Sequence, residues 1–101
     1  MTAKEGHVYR ELVKQFGPVW IDQNGDYVPV CRMTNQRMVA CLKFVRRRLG
    51  QVEALIDLFQ TELETNMLSE KLSAKVWVRF ELMQWELLFA RELERRGVKN
   101  V

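Results

Sequence analysis

The sequence predicts an α+β fold that is predominantly α-helical: an N-terminal helix, one β-hairpin, then three helices, the last of them long. Two observations predict it. Apolar residues recur every three or four positions through most of the chain, as they do on one face of a helix. One stretch, VWIDQNGDYVPV, instead has extended runs on both sides of Asn24-Gly25, a strong hairpin signal. The length of 101 residues allows one core, so we expect a single domain, residues 1–101.

The first predicted helix is short and amphipathic. Thr2 and Glu5 have the spacing of a capping box at its start. Gly17 followed by Pro18 is typical of a helix end. Its apolar face is formed by Tyr9, Leu12, Val13 and Phe16.

The hairpin is predicted to turn at Asn24-Gly25, because a type I′ turn needs positive φ at both central residues. Gln23 then pairs with Asp26, and one face carries Val19, Ile21, Val28 and Val30. The other face carries Trp20, Tyr27 and Pro29. Such an aromatic patch is a composition enriched in protein interfaces. The patch either binds another protein or packs under the first helix.

Two helices of moderate length follow. Thr34 is the expected N-cap of the first, and Gly50 is the expected C′ residue just after its end. The apolar stripe of this helix is Met38, Cys41, Leu42, Val45 and Leu49. The next helix covers residues 51–66, with the stripe Val52, Leu55, Ile56, Phe59 and Leu63. Met67-Leu68-Ser69 connects it to the last helix, which Ser69 can cap.

The last helix, residues 70–96, carries two apolar stripes on roughly opposite sides. The first stripe is Leu72, Val76, Phe80, Met83, Leu87 and Ala90. The second includes Ala74, Val78, Leu82, Trp85, Phe89 and Leu93. A helix that is apolar on two sides must be covered on two sides. We therefore expect a homodimer through Val78, Leu82, Trp85, Phe89 and Leu93; the alternative is a central helix wrapped by the others.

Charge is segregated along the middle of the chain. Six cations and no acid lie between Arg32 and Arg48, whereas five acids and no cation lie between Leu49 and Glu70. Such a distribution either steers a charged partner or pairs two helices. Nucleic acid is the second-choice partner, through phosphate contacts of Arg37, Lys43, Arg46, Arg47 and Arg48. Because these cations are spread around the helix and do not line one side, the pattern favours a solvent-exposed helix surface over a nucleic-acid site.

No catalytic or metal-binding set is recognisable in the sequence. His7 is the only histidine, and no His or Cys spacing fits a metal site. Asp22 and Asp26 flank a turn, where Asp is common. Cys31 and Cys41 are expected to be buried, reduced thiols. We expect no enzyme activity, cofactor or small-molecule substrate, and a cytoplasmic protein without a signal peptide or membrane span.

The segment WIDQNGDYVPVCRMT, residues 20–34, followed by a helix, resembles a segment of small uncharacterised bacteriophage and prophage proteins. Those proteins show a Trp, a turn centred on Gly, a short strand, then Met and Ser or Thr opening a helix. The resemblance implies a phage-encoded accessory protein that binds and modulates a host protein, including defence complexes of the CRISPR type. The expected function is therefore a non-enzymatic inhibitor of a host protein.

Overall fold

The computed structural model describes residues 3–61 and 69–99, and within them it confirms the predicted fold class. The elements in chain order are α1 (Ala3–Phe16), β1 (Val19–Ile21), β2 (Tyr27–Pro29), a 3₁₀ turn (Val30–Arg32), α2 (Asn35–Thr61) and α3 (Ser69–Arg95). The chain divides into two compact units, Met1–Met38 and Val39–Val101. The expectation of a single domain stays a prediction.

Helix α1 ends where the sequence predicts. Gly17 has a φ of +80°, and its amide donates to the carbonyl of Val13 at 2.8 Å. Glycine adopts this left-handed conformation without the steric penalty of a Cβ atom, so it closes the helix. The predicted capping box lies outside the described residues, because Thr2 is not among them.

The first unit is built by packing α1 against the hairpin. The Tyr9 and Tyr27 rings meet edge to face with centroids 5.8 Å apart. The Arg32 guanidinium lies 4.2 Å from the centroid of the Phe16 ring, a cation–π contact. The buried apolar residues of this unit include Val19, Val30, Met33 and Met38.

The observed register of the hairpin differs by one residue from the predicted one. Val19 pairs with Pro29, Trp20 with Val28, and Ile21 with Tyr27. Residues directly opposite each other share a face, and a slip of one residue moves a side chain to the other face. Trp20 therefore lies on the opposite face from Tyr27 and Pro29.

The turn chemistry explains the shifted register. The Asp22 carboxylate accepts hydrogen bonds from the amides of Asn24 and Asp26, both at 2.9 Å. The Gly25 amide donates to the Asp22 carbonyl at 2.9 Å, and Gly25 has a φ of +81°. This is the geometry of a three-residue connection with glycine at its last position. The predicted two-residue turn is therefore wrong.

Helix α2 begins as predicted but does not end at Gly50. The Arg37 amide donates to the Thr34 hydroxyl at 3.2 Å, which confirms the N-cap. The helix continues to Thr61, so the two predicted middle helices are one. Gly50 costs a helix about 0.5–1 kcal/mol relative to Ala. Burying Val52 and Ile56 stabilises the same helix by roughly 1.5–3 kcal/mol each, which outweighs that cost.

The second unit contains most of α2 together with α3. The Arg46 Nε and a Glu86 carboxylate oxygen lie 3.6 Å apart and join the two helices. Their positions, 15 residues before Thr61 and 17 after Ser69, fit an antiparallel pair. The apolar residues buried in this unit include Leu42, Val45, Val52, Ile56, Phe89 and Leu93. The predicted end of the middle helix at Asn66, with Leu63 and the connection through Leu68, lies outside the described residues.

The C-terminal end of α3 is closed by a Schellman motif. The Val98 amide donates to the Leu93 carbonyl at 2.9 Å, and the Gly97 amide to the Glu94 carbonyl at 3.0 Å. Gly97 has the required left-handed φ of +81°. The predicted end of this helix is confirmed to within a residue, since α3 stops at Arg95.

Candidate protein-binding surface

Helix α3 is apolar on two sides, as the sequence predicts, but the buried side is the one expected to form a dimer. Phe89 and Leu93 have no exposed surface within the single chain. The Trp85 ring stacks on Phe89 with centroids 5.5 Å apart, and Val78 and Leu82 are half-buried. A side chain already covered by its own chain cannot be covered again by a partner, so the predicted dimer interface is wrong for Phe89 and Leu93.

The other side of α3 is exposed. Its large apolar side chains have between 39% and 72% of their surface accessible: Val76, Trp77, Phe80, Met83 and Leu87. We call these five residues the outward stripe. Spacings of four, three and four residues between positions 76, 80, 83 and 87 match the alternation of a and d positions in a coiled coil. The stripe is therefore shaped to receive another helix along about three turns of α3.

The two aromatic residues form the widest part of the outward stripe. The Trp77 and Phe80 rings meet edge to face with centroids 6.2 Å apart and an interplanar angle of 86°. Trp77 is the most exposed of the five, at 72%. Tryptophan is enriched at protein interfaces, so its exposure here makes this patch a candidate contact surface.

Charged residues border the outward stripe along one flank. Arg79 precedes Phe80 in the chain, and Glu86 precedes Leu87, so the two lie two helical turns apart on the same edge. Both are partly buried, and Glu86 also contacts Arg46 of α2. An apolar centre with a polar border is the usual composition of a protein interface.

The predicted aromatic patch of the hairpin does not form as one surface. Tyr27 contacts Tyr9 of α1, and Pro29 shares the face of Tyr27, whereas Trp20 lies on the opposite face. All three are half-buried. The prediction that Trp20, Tyr27 and Pro29 make a single binding patch is therefore wrong, and the packing alternative is correct for Tyr27.

Asp22 organises the hairpin turn instead of a chemical site. Hydrogen bonds from backbone amides, that of Asp26 foremost, hold the pKa of its carboxyl below the usual range. Arg37 donates to the other carboxylate oxygen at 2.9 Å. The side chain thus links the turn to the first turn of α2. Sequence spacing gave no signal of this pair, because the two residues are 15 positions apart.

Most of the predicted phosphate contacts already have partners within the chain. Arg37 pairs with Asp22, and Arg46 pairs with Glu86. Arg48 donates to the Gln51 side chain at 3.2 Å, and the Arg47 guanidinium lies 5.9 Å from the centre of the Phe44 ring. Lys43 is exposed. Phe44, Arg47, Arg48 and Gln51 line a shallow surface concavity, where two of the predicted phosphate contacts lie beside an aromatic ring.

His7 and Cys31 belong to the first unit and Cys41 to the second. Cys31 is exposed, against the prediction, because Val30 is the buried residue of the 3₁₀ turn. Its thiol donates to the Phe16 carbonyl at a sulfur–oxygen distance of 3.6 Å. Cys41 is half-buried, neither cysteine forms a disulfide, and His7 is exposed.

Within the described residues, no group of three or more His, Cys, Asp or Glu side chains is placed to hold a metal ion. None of the helices in residues 3–61 and 69–99 combines the length and the apolarity needed to cross a membrane. Comparison with known protein families, with curated proteins and with solved structures gives no match for this chain. Among the described residues, the outward stripe is the candidate site with the strongest physical support, because it exposes five large apolar side chains on one helix.

Proposed function

We propose that this chain is a non-enzymatic interaction protein that binds another polypeptide through the outward stripe of α3. The observation that carries the proposal is the exposure of five large apolar side chains along one face of a helix. Exposed apolar patches larger than a few hundred Å² are rare on proteins that act alone. Removing such side chains from water contributes roughly 25 cal/mol per Å² of apolar area, which offsets part of the entropy cost of association.

A helix is the partner element that fits this surface best. The spacing of positions 76, 80, 83 and 87 presents holes for the side chains of a second helix crossing at a shallow angle. Arg79 and Glu86 would select among such helices by charge. A second copy of this chain, or a host protein, would supply that helix.

The resemblance of residues 20–34 supports the finer part of the proposal. A phage-encoded accessory protein that occludes a host surface would use a stripe of this kind to dock, with a host defence complex as the target class. Inhibition of a host complex and a cytoplasmic location stay predictions that rest on the resemblance and on the sequence composition.

Site-specific photocrosslinking tests the proposed surface. A photoreactive amino acid at Met83 lies in the centre of the stripe, and the same residue at exposed Glu94 serves as a control on the same helix. Illumination in producing cells, or of purified protein mixed with host lysate, should give discrete polypeptide adducts from position 83 and not from position 94. Equal labelling from both positions, or none from position 83, would contradict the proposal.

The nucleic-acid hypothesis is the second candidate, and the concavity beside Phe44 favours it. Arg47 and Arg48 there combine guanidinium groups with an aromatic ring, as single-strand binding sites do. Filter binding of a labelled oligonucleotide at low salt tests it. Changing Arg47 and Arg48 to Glu should abolish retention, while Arg10→Glu on α1 should not. Absence of any complex would remove this candidate.

A further inference from the structure

We infer that the occupant of the outward stripe is a second copy of this chain, with the two α3 helices antiparallel across a two-fold axis. The inference rests on the proposed function, since it names the partner for the same surface. It also corrects the dimer expected from the sequence, because the contact now uses Val76, Trp77, Phe80, Met83 and Leu87 in place of the buried face.

The stripe is complementary to itself when it is reversed. Pairing Phe80 with the Met83 position of the second copy also brings Val76 opposite Leu87. Each layer then joins a larger side chain to a smaller or more flexible one. Such large-to-small layers interdigitate better than layers of two identical aromatic rings, which the parallel arrangement would require. Symmetric dimers with self-complementary patches are the commonest oligomers.

The charges on the flank of the stripe favour the same arrangement. In an antiparallel pair the two-fold axis runs perpendicular to both helices, and the two stripes face each other across it. Each flank of one helix then lies beside the same flank of the other helix. The flank with Arg79 and Glu86 therefore meets the same flank of the second copy. In the register above, Arg79 lies within about 3 Å along the axis of the opposite Glu86, and symmetry creates the pair twice. In the parallel arrangement Arg79 instead faces Gln84, which is uncharged.

The area of the stripe is sufficient for a specific contact. Aromatic side chains bury roughly 150–250 Å² each, so five exposed side chains including Trp77 and Phe80 offer on the order of 500 Å² per chain. Two copies would bury about 1,000 Å² together, the lower end for a specific interface. The dimer is therefore expected to form at micromolar concentrations and not at nanomolar ones.

Light scattering and sedimentation equilibrium of the purified full chain test the inference first. At tens of micromolar the expected mass is twice the 12.0 kDa of one chain. Met83→Glu brings two like charges, one from each chain, close to the two-fold axis in the dimer, and should yield a monomer whose helical circular dichroism is unchanged. A monomeric wild-type protein over this concentration range would overturn the inference.

Charge exchange on the flank tests the antiparallel arrangement. Arg79→Glu places a carboxylate opposite Glu86 of the second copy, and the two-fold symmetry repeats this repulsive pair. The variant should therefore weaken the dimer on the order of tenfold. Lys43→Glu on α2 makes the same change in net charge and should leave the dimer unaffected. A dimer that resists Arg79→Glu would contradict the antiparallel pairing.

Mixing two weakened variants gives the sharpest result. Glu86→Arg alone sets Arg against Arg, but an equimolar mixture of Arg79→Glu and Glu86→Arg restores two opposite pairs in the mixed dimer. The mixture should therefore associate more tightly than either variant, as measured by sedimentation of differently labelled chains. No preference for the mixed dimer would overturn the pairing. Because Glu86→Arg also removes the contact with Arg46, thermal unfolding of each variant checks its fold.

The outcome also separates this inference from the proposed function. If Met83 crosslinks to a different polypeptide and the purified chain is a monomer, the stripe is a binding surface and the second copy is the wrong occupant. If position 83 gives no adduct and the chain is a monomer, both proposals fail. An adduct at twice the chain mass with the mixed-dimer preference supports both.

Discussion

The two apolar faces of α3 have nearly the same sequence pattern and opposite environments. Each repeats large apolar residues every three or four positions, and each contains one Trp and one Phe. Phe89 on the inner face has no exposed surface, whereas Phe80 on the outer face exposes 55% of its own. Periodicity therefore shows that a helix has a face to cover, and the rest of the fold decides whether the chain covers it.

Truncating the inner face should have the largest effect on stability. Phe89→Ala removes a fully buried aromatic side chain that Trp85 stacks against. A change of this kind leaves a cavity and costs about 3–5 kcal/mol. Urea unfolding followed by circular dichroism should show the loss as a lower midpoint with little change in slope.

Phe80→Ala on the outer face is the matched control. It deletes the same atoms from the same helix, but over half of that side chain is already in water. At concentrations below dimer formation we expect a change of about 0.5 kcal/mol or less. Similar losses for the two variants would contradict the distinction between the faces.

The sequence predicted both apolar faces of α3 correctly but could not show which of them the chain itself buries. Val78, Leu82 and Phe89 are no more apolar than Val76, Phe80 and Leu87, so composition does not say which set the chain itself buries. The same limit applies to α2, although there a signal existed. Its inward-facing apolar positions keep an unbroken spacing of three and four residues across Gly50, with Leu49 half-buried and the others buried: Met38, Leu42, Val45, Leu49, Val52 and Ile56. That continuity outweighs one glycine.

The hairpin shows a second limit, which concerns local chemistry. Pro29 has no amide hydrogen, so it must occupy a non-hydrogen-bonded position. The observed register, like the predicted one, satisfies this condition. The backbone amide of Asp22 donates to the Asp26 carbonyl, and Pro29 lies three residue pairs further along the ladder. The proline could not distinguish the two registers. The deciding contacts are those of the Asp22 carboxylate, which a pattern of apolar residues does not reveal.

Replacing Gly50 sharpens the conclusion that α2 is one helix. Gly50 lies in the helix interior, and nothing approaches within 4 Å of the position that a Cβ atom would take. Gly50→Ala should therefore raise the free energy of unfolding by roughly 0.5–1 kcal/mol. Thermal unfolding measures the gain as a higher midpoint.

Gly25→Ala provides the opposite case. Its position is equally open, but the φ of +81° disfavours any side chain. This variant should lower the midpoint, so a pair of Gly→Ala changes with opposite signs is expected. If Gly50→Ala also lowered the midpoint, Gly50 would not sit in a regular helix.

The last prediction extends the comparison of buried and exposed residues to the charged end of α3. Glu92 precedes the buried Leu93 and accepts hydrogen bonds from Arg95 at 2.6 and 3.0 Å and from Arg96 at 3.0 Å. These bonds, that of Arg95 first, hold the pKa of Glu92 at about 2 against an ordinary 4.5. A lowered pKa means that the ionised form is favoured in the folded chain.

The stability that Glu92 contributes is therefore complete above about pH 4.5 and is lost as the pH falls toward 2. Because Arg95 is largely exposed, solvent screens the pair, and the contribution should be about 1 kcal/mol or less. Urea unfolding of wild type and Glu92→Gln at pH 6 and pH 2.5 measures it: the difference between the two proteins should shrink at the lower pH. Glu94→Gln is the control variant, because it removes the same charge from an exposed position two residues further along the helix. A wild-type advantage over Glu92→Gln that persisted unchanged at pH 2.5 would show that packing of the side chain, and not its ionisation, stabilises this end of α3.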